Sequence, residues 1–203
     1  MQNFRYAAHR YINDWLGWEK RFHATLCLEG GDKAETAACA KTLVEVGKYY
    51  TVIRNFPVIE ETQRLEAACK GLLAIRGVPE SDVPAVVEDY ARSLQSVYGL
   101  YALSAASKFL WVRFRDPVVI YDSIVWKWLS KRKGSQFSGY GSYFDYWWSV
   151  YRSVEEQIAE ACLDLRNFKA FILREVRDSE LADCTESEWF RKRVFDYSMQ
   201  YLP

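Results

Sequence analysis

One stretch organises the chain around it: Gly99-Leu-Tyr-Ala-Leu-Ser-Ala-Ala-Ser-Lys108-Phe-Leu-Trp-Val-Arg-Phe-Arg-Asp-Pro117-Val-Val-Ile-Tyr-Asp122-Ser-Ile-Val125. Gly99 is a typical helix stop, and Ser104 after it is suited to cap the next helix. Pro117 ends that helix, and the apolar run that follows is too short to indicate a sheet. Asp122 and Ser123 then have the character of an N-cap. The stretch predicts a helix, a turn, a helix, an extended approach and an acid at a helix start.

The flanking sequence also predicts helices. Upstream, apolar spacing near the 3.6 period predicts helices over 32–54, with Asp32 as N-cap, over about 59–76, and from about Pro84 to Tyr98. Downstream, a glycine and serine loop over 134–141 precedes a long helix predicted over 142–166. Thr185-Glu186-Ser187-Glu188 has the spacing of a capping box, so a last helix is predicted to run to about Tyr201. The expected fold class is all-α.

The length and charge point to a globular protein with a local charged surface. With 203 residues, half of them hydrophobic, the chain is expected to form a single helical domain over 1–203, or two lobes sharing a core. Its 27 basic and 27 acidic residues balance, which argues against a general polycation. Residues 99–140, however, hold 7 basic and 2 acidic residues. This stretch is where an anionic ligand would bind, unless it forms only a solvated helix face.

Several classes of site lack their usual residues. The five cysteines form no Cys-x-x-Cys motif and the chain has two histidines, so no metal site is expected. Neither a P-loop nor a dinucleotide glycine fingerprint is present, and no cofactor is expected. The N-terminus lacks the apolar run of a signal peptide, and no stretch of eighteen uncharged apolar residues occurs. We therefore expect a cytoplasmic protein with free thiols and no membrane partner.

Two further groups of residues are candidates for ligand contacts. The run Lys131-Arg132-Lys133 at the end of the predicted Asp122 helix would suit phosphates, but cations also suit a helix C-terminus in a protein that binds nothing. Aromatic side chains crowd the segment after the glycine loop, where they would either stack on an unpaired base or fill the helical core. The candidates for base stacking are Tyr140, Tyr143, Phe144 and Trp147, together with Tyr121 beside the acid.

The central stretch resembles the helix–hairpin–helix DNA glycosylases, the superfamily of endonuclease III, the alkyladenine glycosylases and 8-oxoguanine glycosylase. Ile120-Tyr121-Asp122-Ser123-Ile124-Val125 is similar to the segment that carries the catalytic Asp of that superfamily. Ser107-Lys108-Phe109-Leu110, Pro117 and this segment are most similar to small bacterial proteins of the 8-oxoguanine-glycosylase-like fold. A looser similarity lies in the C-terminal helix around Trp189, Arg191, Arg193 and Asp196.

The resemblance implies a helix–hairpin–helix bundle that turns a modified base out of DNA and excises it, with the hairpin and catalytic segment at about 98–134. Asp122 takes the catalytic position, with Lys108 as a second catalytic candidate. Gly99, Ser104, Ser107 and the Lys131–Lys133 run would contact DNA. The chain keeps only Gly99 of the family's Gly-x-Gly hairpin and has Leu103 near the lysine of bifunctional members, which favours a hydrolase over a lyase.

The substrate expected by analogy is a bulky modified cytosine of phage DNA, first of all glucosylated hydroxymethylcytosine, with 8-oxoguanine as the alternative. A bacterial, monomeric, nucleoid-associated enzyme in phage defence is the corresponding expectation. A catalytically silent helical module that binds DNA or another protein through the same basic segment is the alternative from a different class. In that case Asp122 only caps a helix.

Overall fold

The computed structural model describes residues 3–27, 33–53 and 62–200. In chain order its α-helices are α1 (Phe4–Asp14), α2 (Lys20–Leu26), α3 (Lys33–Tyr49), α4 (Thr62–Ala74), α5 (Val83–Tyr98), α6 (Leu103–Phe114), α7 (Ser123–Lys133), α8 (Tyr140–Arg152), α9 (Glu155–Asp164), α10 (Asp178–Glu186) and α11 (Glu188–Gln200). A π-helical turn, Trp15–Glu19, joins α1 to α2, and 3-10 turns lie at Glu80–Asp82 and Leu165–Phe171. Every regular element in the described ranges is helical, which confirms the predicted all-α class.

The chain divides into two compact units. The first unit comprises Met1–Lys20 and Asp122–Pro203, and the second comprises Arg21–Tyr121. The division therefore falls inside the Gly99–Val125 stretch, between Tyr121 and Asp122. Within the described ranges, no helix has both the length and the apolar composition that a membrane crossing requires.

The second unit is built from a chain of neighbouring helices. Helix α3 packs against α4, α4 against α5, and α5 against α6, while α3 also contacts α6. The buried side of α5 carries Val83, Val87, Ala91 and Leu94, at the helical spacing that the sequence shows. Helix α5 ends at Gly99, whose φ of 78° lies in the left-handed region that favours glycine.

The first unit is organised around its C-terminal helix. Helix α11 packs against α1, α7, α9 and α10, so it has neighbours on most of its surface. This position explains why nearly all of α11 is buried, including Lys192, Arg193 and Asp196. Helix α1 presents Ala7 and Ala8 among its buried residues, and such small side chains allow close approach of a neighbouring helix.

Two predicted helix boundaries are wrong. The helix predicted over 142–166 is two helices, because Val154 has a φ of −132° and the Ser153 hydroxyl donates to the Val150 carbonyl oxygen at 2.6 Å. Thr185 does not cap the last helix: it lies inside α10, and its hydroxyl donates to the Ala182 carbonyl oxygen at 3.1 Å. The predicted cap Asp32 lies outside the described residues.

Candidate active site

The turn between α5 and α6 is short and exposed. The Gly99 N–H donates to the Gln95 carbonyl oxygen at 2.7 Å, and no atom lies within 4 Å of the position a Cβ would take. Glycine is thus required here by its φ of 78° and not by a lack of space. Leu100 and Tyr101 follow it and are both exposed. The predicted succession of helix, turn and helix is present.

The polar side chains at the start of α6 bond to one another. Helix α6 begins at Leu103, so Ser104 is not its N-cap as predicted; its Oγ accepts a hydrogen bond from Lys108 Nζ at 3.0 Å. Ser107 is fully buried, donates to the Ser104 carbonyl oxygen at 3.2 Å and accepts from the Tyr121 N–H at 2.9 Å. These contacts give Ser107 the role of a buried tether for the segment before Asp122. A DNA contact by either serine stays a prediction.

Lys108 is an amine held inside the second unit. Its side chain is 5% exposed, and Nζ lies 5.7 Å from the centroid of the Tyr50 ring. An amine that forms a covalent bond with a sugar must reach the reacting carbon, and burial restricts that access. The placement of Lys108 thus fits a positively charged anchor of the α6 start better than a nucleophile.

Asp122 begins helix α7 as predicted. Its backbone is extended, with φ −114° and ψ 139°, and its Oδ1 accepts a hydrogen bond from the Ile124 N–H at 2.8 Å. The backbone oxygen accepts from the Trp126 N–H at 2.7 Å, which closes the first turn. The side chain is half-buried. The cap bond fixes the direction of the carboxylate, while its partial exposure leaves it within reach of a ligand.

The aromatic residues proposed for base stacking are packed in the interior. Tyr140, Tyr143 and Trp147 are fully buried, and Phe144 is 5% exposed. Trp147 stacks on Tyr151 with ring centroids 5.2 Å apart and meets the Phe195 ring edge-on at 5.1 Å. The core interpretation therefore accounts for these rings, and their contact with a base stays a prediction.

Tyr121, the remaining aromatic candidate, lies at the end of the second unit. Its side chain is half-buried, and burial, with a smaller contribution from Tyr101, raises the pKa of its phenol. The phenol therefore stays a neutral hydrogen-bonding group at physiological pH.

The basic run at the end of α7 is fully at the surface. Lys131, Arg132 and Lys133 are exposed, and the helix ends at Gly134, which has a φ of 77°. The Arg132 guanidinium lies 5.5 Å from the Trp128 ring centroid, and the Lys133 amine lies 4.7 Å from that of Phe137. Cations resting on aromatic faces keep a defined direction without losing their charge. An i,i+4 spacing of cation and ring in the sequence is the signal that marks these pairs.

The structure also contains a group of charged side chains that the sequence analysis does not predict, which we call the buried cluster: Glu19, Arg193 and Asp196. Arg193 is 2% exposed, and its two terminal nitrogens lie 3.1 Å from Asp196 Oδ2 and 3.5 Å from Glu19 Oε1. Sequence reasoning assigns the Arg191–Arg193 run to a solvated face or to pairs with Glu186 and Glu188, which is wrong for Arg193 because α11 lies among four other helices. Lys192 does pair with Glu188, at 3.5 Å.

Hydrogen bonds from two aromatic side chains complete the buried cluster. Trp147 Nε1 donates to Asp196 Oδ1 at 2.8 Å, and the Tyr11 hydroxyl donates to Glu19 Oε2 at 3.1 Å. Burial raises the pKa of Asp196 to about 6, against the opposing effect of Arg193 and Trp147, and the charge of Asp122 adds to the rise. Asp122 and the buried cluster are therefore electrostatically connected within the first unit.

The described residues contain no group of three or more His, Cys, Asp or Glu side chains arranged to hold a metal ion. The candidate site thus consists of an acid at a helix start, a basic surface at the far end of the same helix, and a buried charged cluster connected to that acid. Comparison with known proteins finds no matching family model, no similar curated protein and no similar solved structure.

Proposed function

We propose that this protein is a DNA glycosylase that hydrolyses the bond between a modified base and its deoxyribose. The observation that carries the proposal is Asp122: a half-buried carboxylate with a fixed direction at the start of α7, within the Ile120–Val125 segment that is similar to the catalytic segment of helix–hairpin–helix glycosylases. The proposed fold is accordingly a helix–hairpin–helix arrangement, with Gly99 in its hairpin.

A carboxylate at this position serves two steps of the reaction. Departure of the base leaves positive charge on the sugar ring, and a nearby negative charge lowers the energy of that transition state. The same carboxylate orients or deprotonates the attacking water. The target nucleotide must first leave the duplex, since the sugar carbon is otherwise inaccessible. The burial of Lys108 supports simple hydrolysis without a lyase step.

Helix α7 provides a spacing for DNA contacts. It has 11 residues, so Asp122 and the Lys131–Lys133 run are separated by about 16 Å along the helix axis. Successive base pairs are about 3.4 Å apart, so this distance corresponds to about five base steps. Cations at the far end of α7 would bind phosphates several nucleotides from the extruded base, where they add affinity without selecting the base.

The proposed substrate is phage DNA that contains glucosylated hydroxymethylcytosine, with 8-oxoguanine as the second candidate. The test is to incubate the purified protein with such phage DNA, with unmodified DNA and with 8-oxoguanine duplexes, then to identify released bases by mass spectrometry. We expect a free modified base and a matching number of abasic sites from the phage DNA. Release of 8-oxoguanine alone would change the substrate, and no base from any of the DNAs would contradict glycosylase activity.

The basic run provides a separate prediction about binding. Replacing Lys131, Arg132 and Lys133 with Gln is expected to weaken DNA binding and to reduce the slope of log K against log salt by about 0.9 for each phosphate that the variant no longer neutralises. Fluorescence anisotropy at several salt concentrations measures both effects. Lys41→Gln, which removes an exposed cation from α3, is the control and should leave the slope unchanged. An unaltered slope in the triple variant would show that this run does not contact DNA.

The alternative function is a catalytically silent helical module. The hydrogen bond from the Ile124 N–H to Asp122 favours it, because an Asp with a purely structural role makes that same bond. Under this alternative the protein binds DNA through the basic run but releases no base. The variant Asp122→Asn separates the two functions, since only a catalytic Asp needs its negative charge.

A further inference from the structure

The buried cluster changes its charge near neutral pH. It contains one guanidinium and two carboxylates, so it carries a net charge of −1 when both acids are ionised and is neutral when Asp196 is protonated. Burial raises the pKa of Asp196 to about 6, so this change occurs around that pH. Arg193 on the same helix, Trp147 from α8 and Asp122 from α7 are the groups that act on Asp196.

The packing places this change of charge behind the candidate catalytic acid. Asp196 belongs to α11, which contacts α7, and Asp122 is the residue from which α7 starts. Asp196 is 2% exposed, so water and salt screen its interaction with Asp122 only weakly. Its position is also well defined, because Oδ1 accepts from Trp147 Nε1 at 2.8 Å and Oδ2 accepts from Arg193 at 3.1 Å.

We propose that Asp196 is a positioning residue for Asp122, which supplies a second negative charge from the interior of the first unit to the start of helix α7. The inference rests on the proposed function, since the charge matters where a cationic sugar forms. Asp196 does not touch the substrate: it makes the surroundings of Asp122 more negative and so favours the cationic transition state. Two charges that interact through the protein interior at such a distance change a rate by roughly tenfold.

The coupling between the two acids is measurable without any substrate. If Asp122 acts on Asp196, replacing Asp122 with Asn must lower the pKa of Asp196, because interactions between titrating groups are reciprocal. Carboxyl ¹³C NMR titrations of the folded wild type and Asp122→Asn report this directly. We expect a midpoint of about 6 for Asp196 in the wild type and a lower one in the variant. An identical midpoint in both proteins would overturn the inference.

The effect on the reaction is tested with Asp196→Asn, which retains the acceptor for Trp147. Under single-turnover conditions we expect a rate roughly tenfold below wild type at pH 8 and close to wild type at pH 5, where Asp196 of the wild type is itself mostly protonated and uncharged. Glu19→Gln is the matched control, since it removes an acid from the same cluster but leaves Asp196 in place. Its rate should retain the wild-type dependence on pH, whereas a merely structural role would lower the rate of Asp196→Asn equally at both pH values.

The two proposals fail in different ways. If the wild type releases no base, the proposed function is wrong, whatever the NMR titration shows. If the wild type releases base while Asp122→Asn leaves the Asp196 midpoint unchanged, only the positioning role is wrong. If Asp196→Asn does not fold, the NMR comparison of wild type with Asp122→Asn still decides between the outcomes.

Discussion

Replacing Asp122 with Asn is expected to reduce base release by about 10²- to 10⁴-fold, because the variant loses the negative charge that faces the sugar and the group that activates water. DNA binding should be retained or become tighter, since a negative charge near the phosphates is removed. Mass spectrometry of released bases and an abasic-site assay measure the loss of activity, and anisotropy measures the binding. Loss of the first with retention of the second is the pattern that a catalytic Asp produces.

Asn is the informative replacement because it caps helices about as well as Asp. The side-chain oxygen of Asn accepts the same bond from the Ile124 N–H, so the free energy of unfolding should change little. Asp122→Ala is the companion variant: it removes the cap as well and should cost about 1 kcal/mol of stability. If Asp122→Asn releases base at the wild-type rate, Asp122 is only a cap and the protein acts through another residue or not at all.

Replacing Arg193 with Met is expected to produce the largest loss of stability, about 3–5 kcal/mol. Arg193 is 2% exposed and neutralises two acids, Glu19 and Asp196, that are also buried. Without the guanidinium, these acids remain in the interior with no opposite charge, and the apolar Met side chain does not replace its hydrogen bonds. Chemical denaturation at pH 7 measures the difference in free energy of unfolding.

The loss should be smaller in acid. The pKa of Asp196 in the folded protein is about 6, above its ordinary value of 3.8, so the folded state binds the proton more tightly than the unfolded state does. This group therefore reduces stability as the pH rises from about 4 to about 6, and removal of Arg193 strengthens the effect. We expect Arg193→Met to be less destabilised at pH 5 than at pH 8.

Arg5→Met is the matched control for this variant. Arg5 pairs with Asp164 at 2.8 Å, but its side chain is 73% exposed, and exposed ion pairs contribute about 0–1 kcal/mol. The control should therefore change stability little at either pH. An Arg193→Met variant that is as stable as Arg5→Met would show that water reaches the buried cluster.

Local sequence patterns were sufficient for much of the fold and for the start of α7. Helix α5 follows from the spacing of its buried valines and from Gly99, whose left-handed backbone ends the helix. Asp122 is an N-cap as predicted, because capping depends on a side chain and an N–H group only two residues away. The break between α8 and α9 was missed, since it depends on a single hydroxyl that competes for a helix carbonyl.

The chemistry around Asp122 depended on contacts between residues that are distant in sequence. The sequence by itself determined the helical class, the position of the acid and the exposed basic run, because each follows from interactions within a few residues. Only the tertiary structure decided that Trp147 and Arg193 are buried and that Glu19, Arg193 and Asp196 form one cluster. Charge patterns along a helix indicate solvent unless neighbouring helices cover every face, and that covering is set by packing across the whole unit.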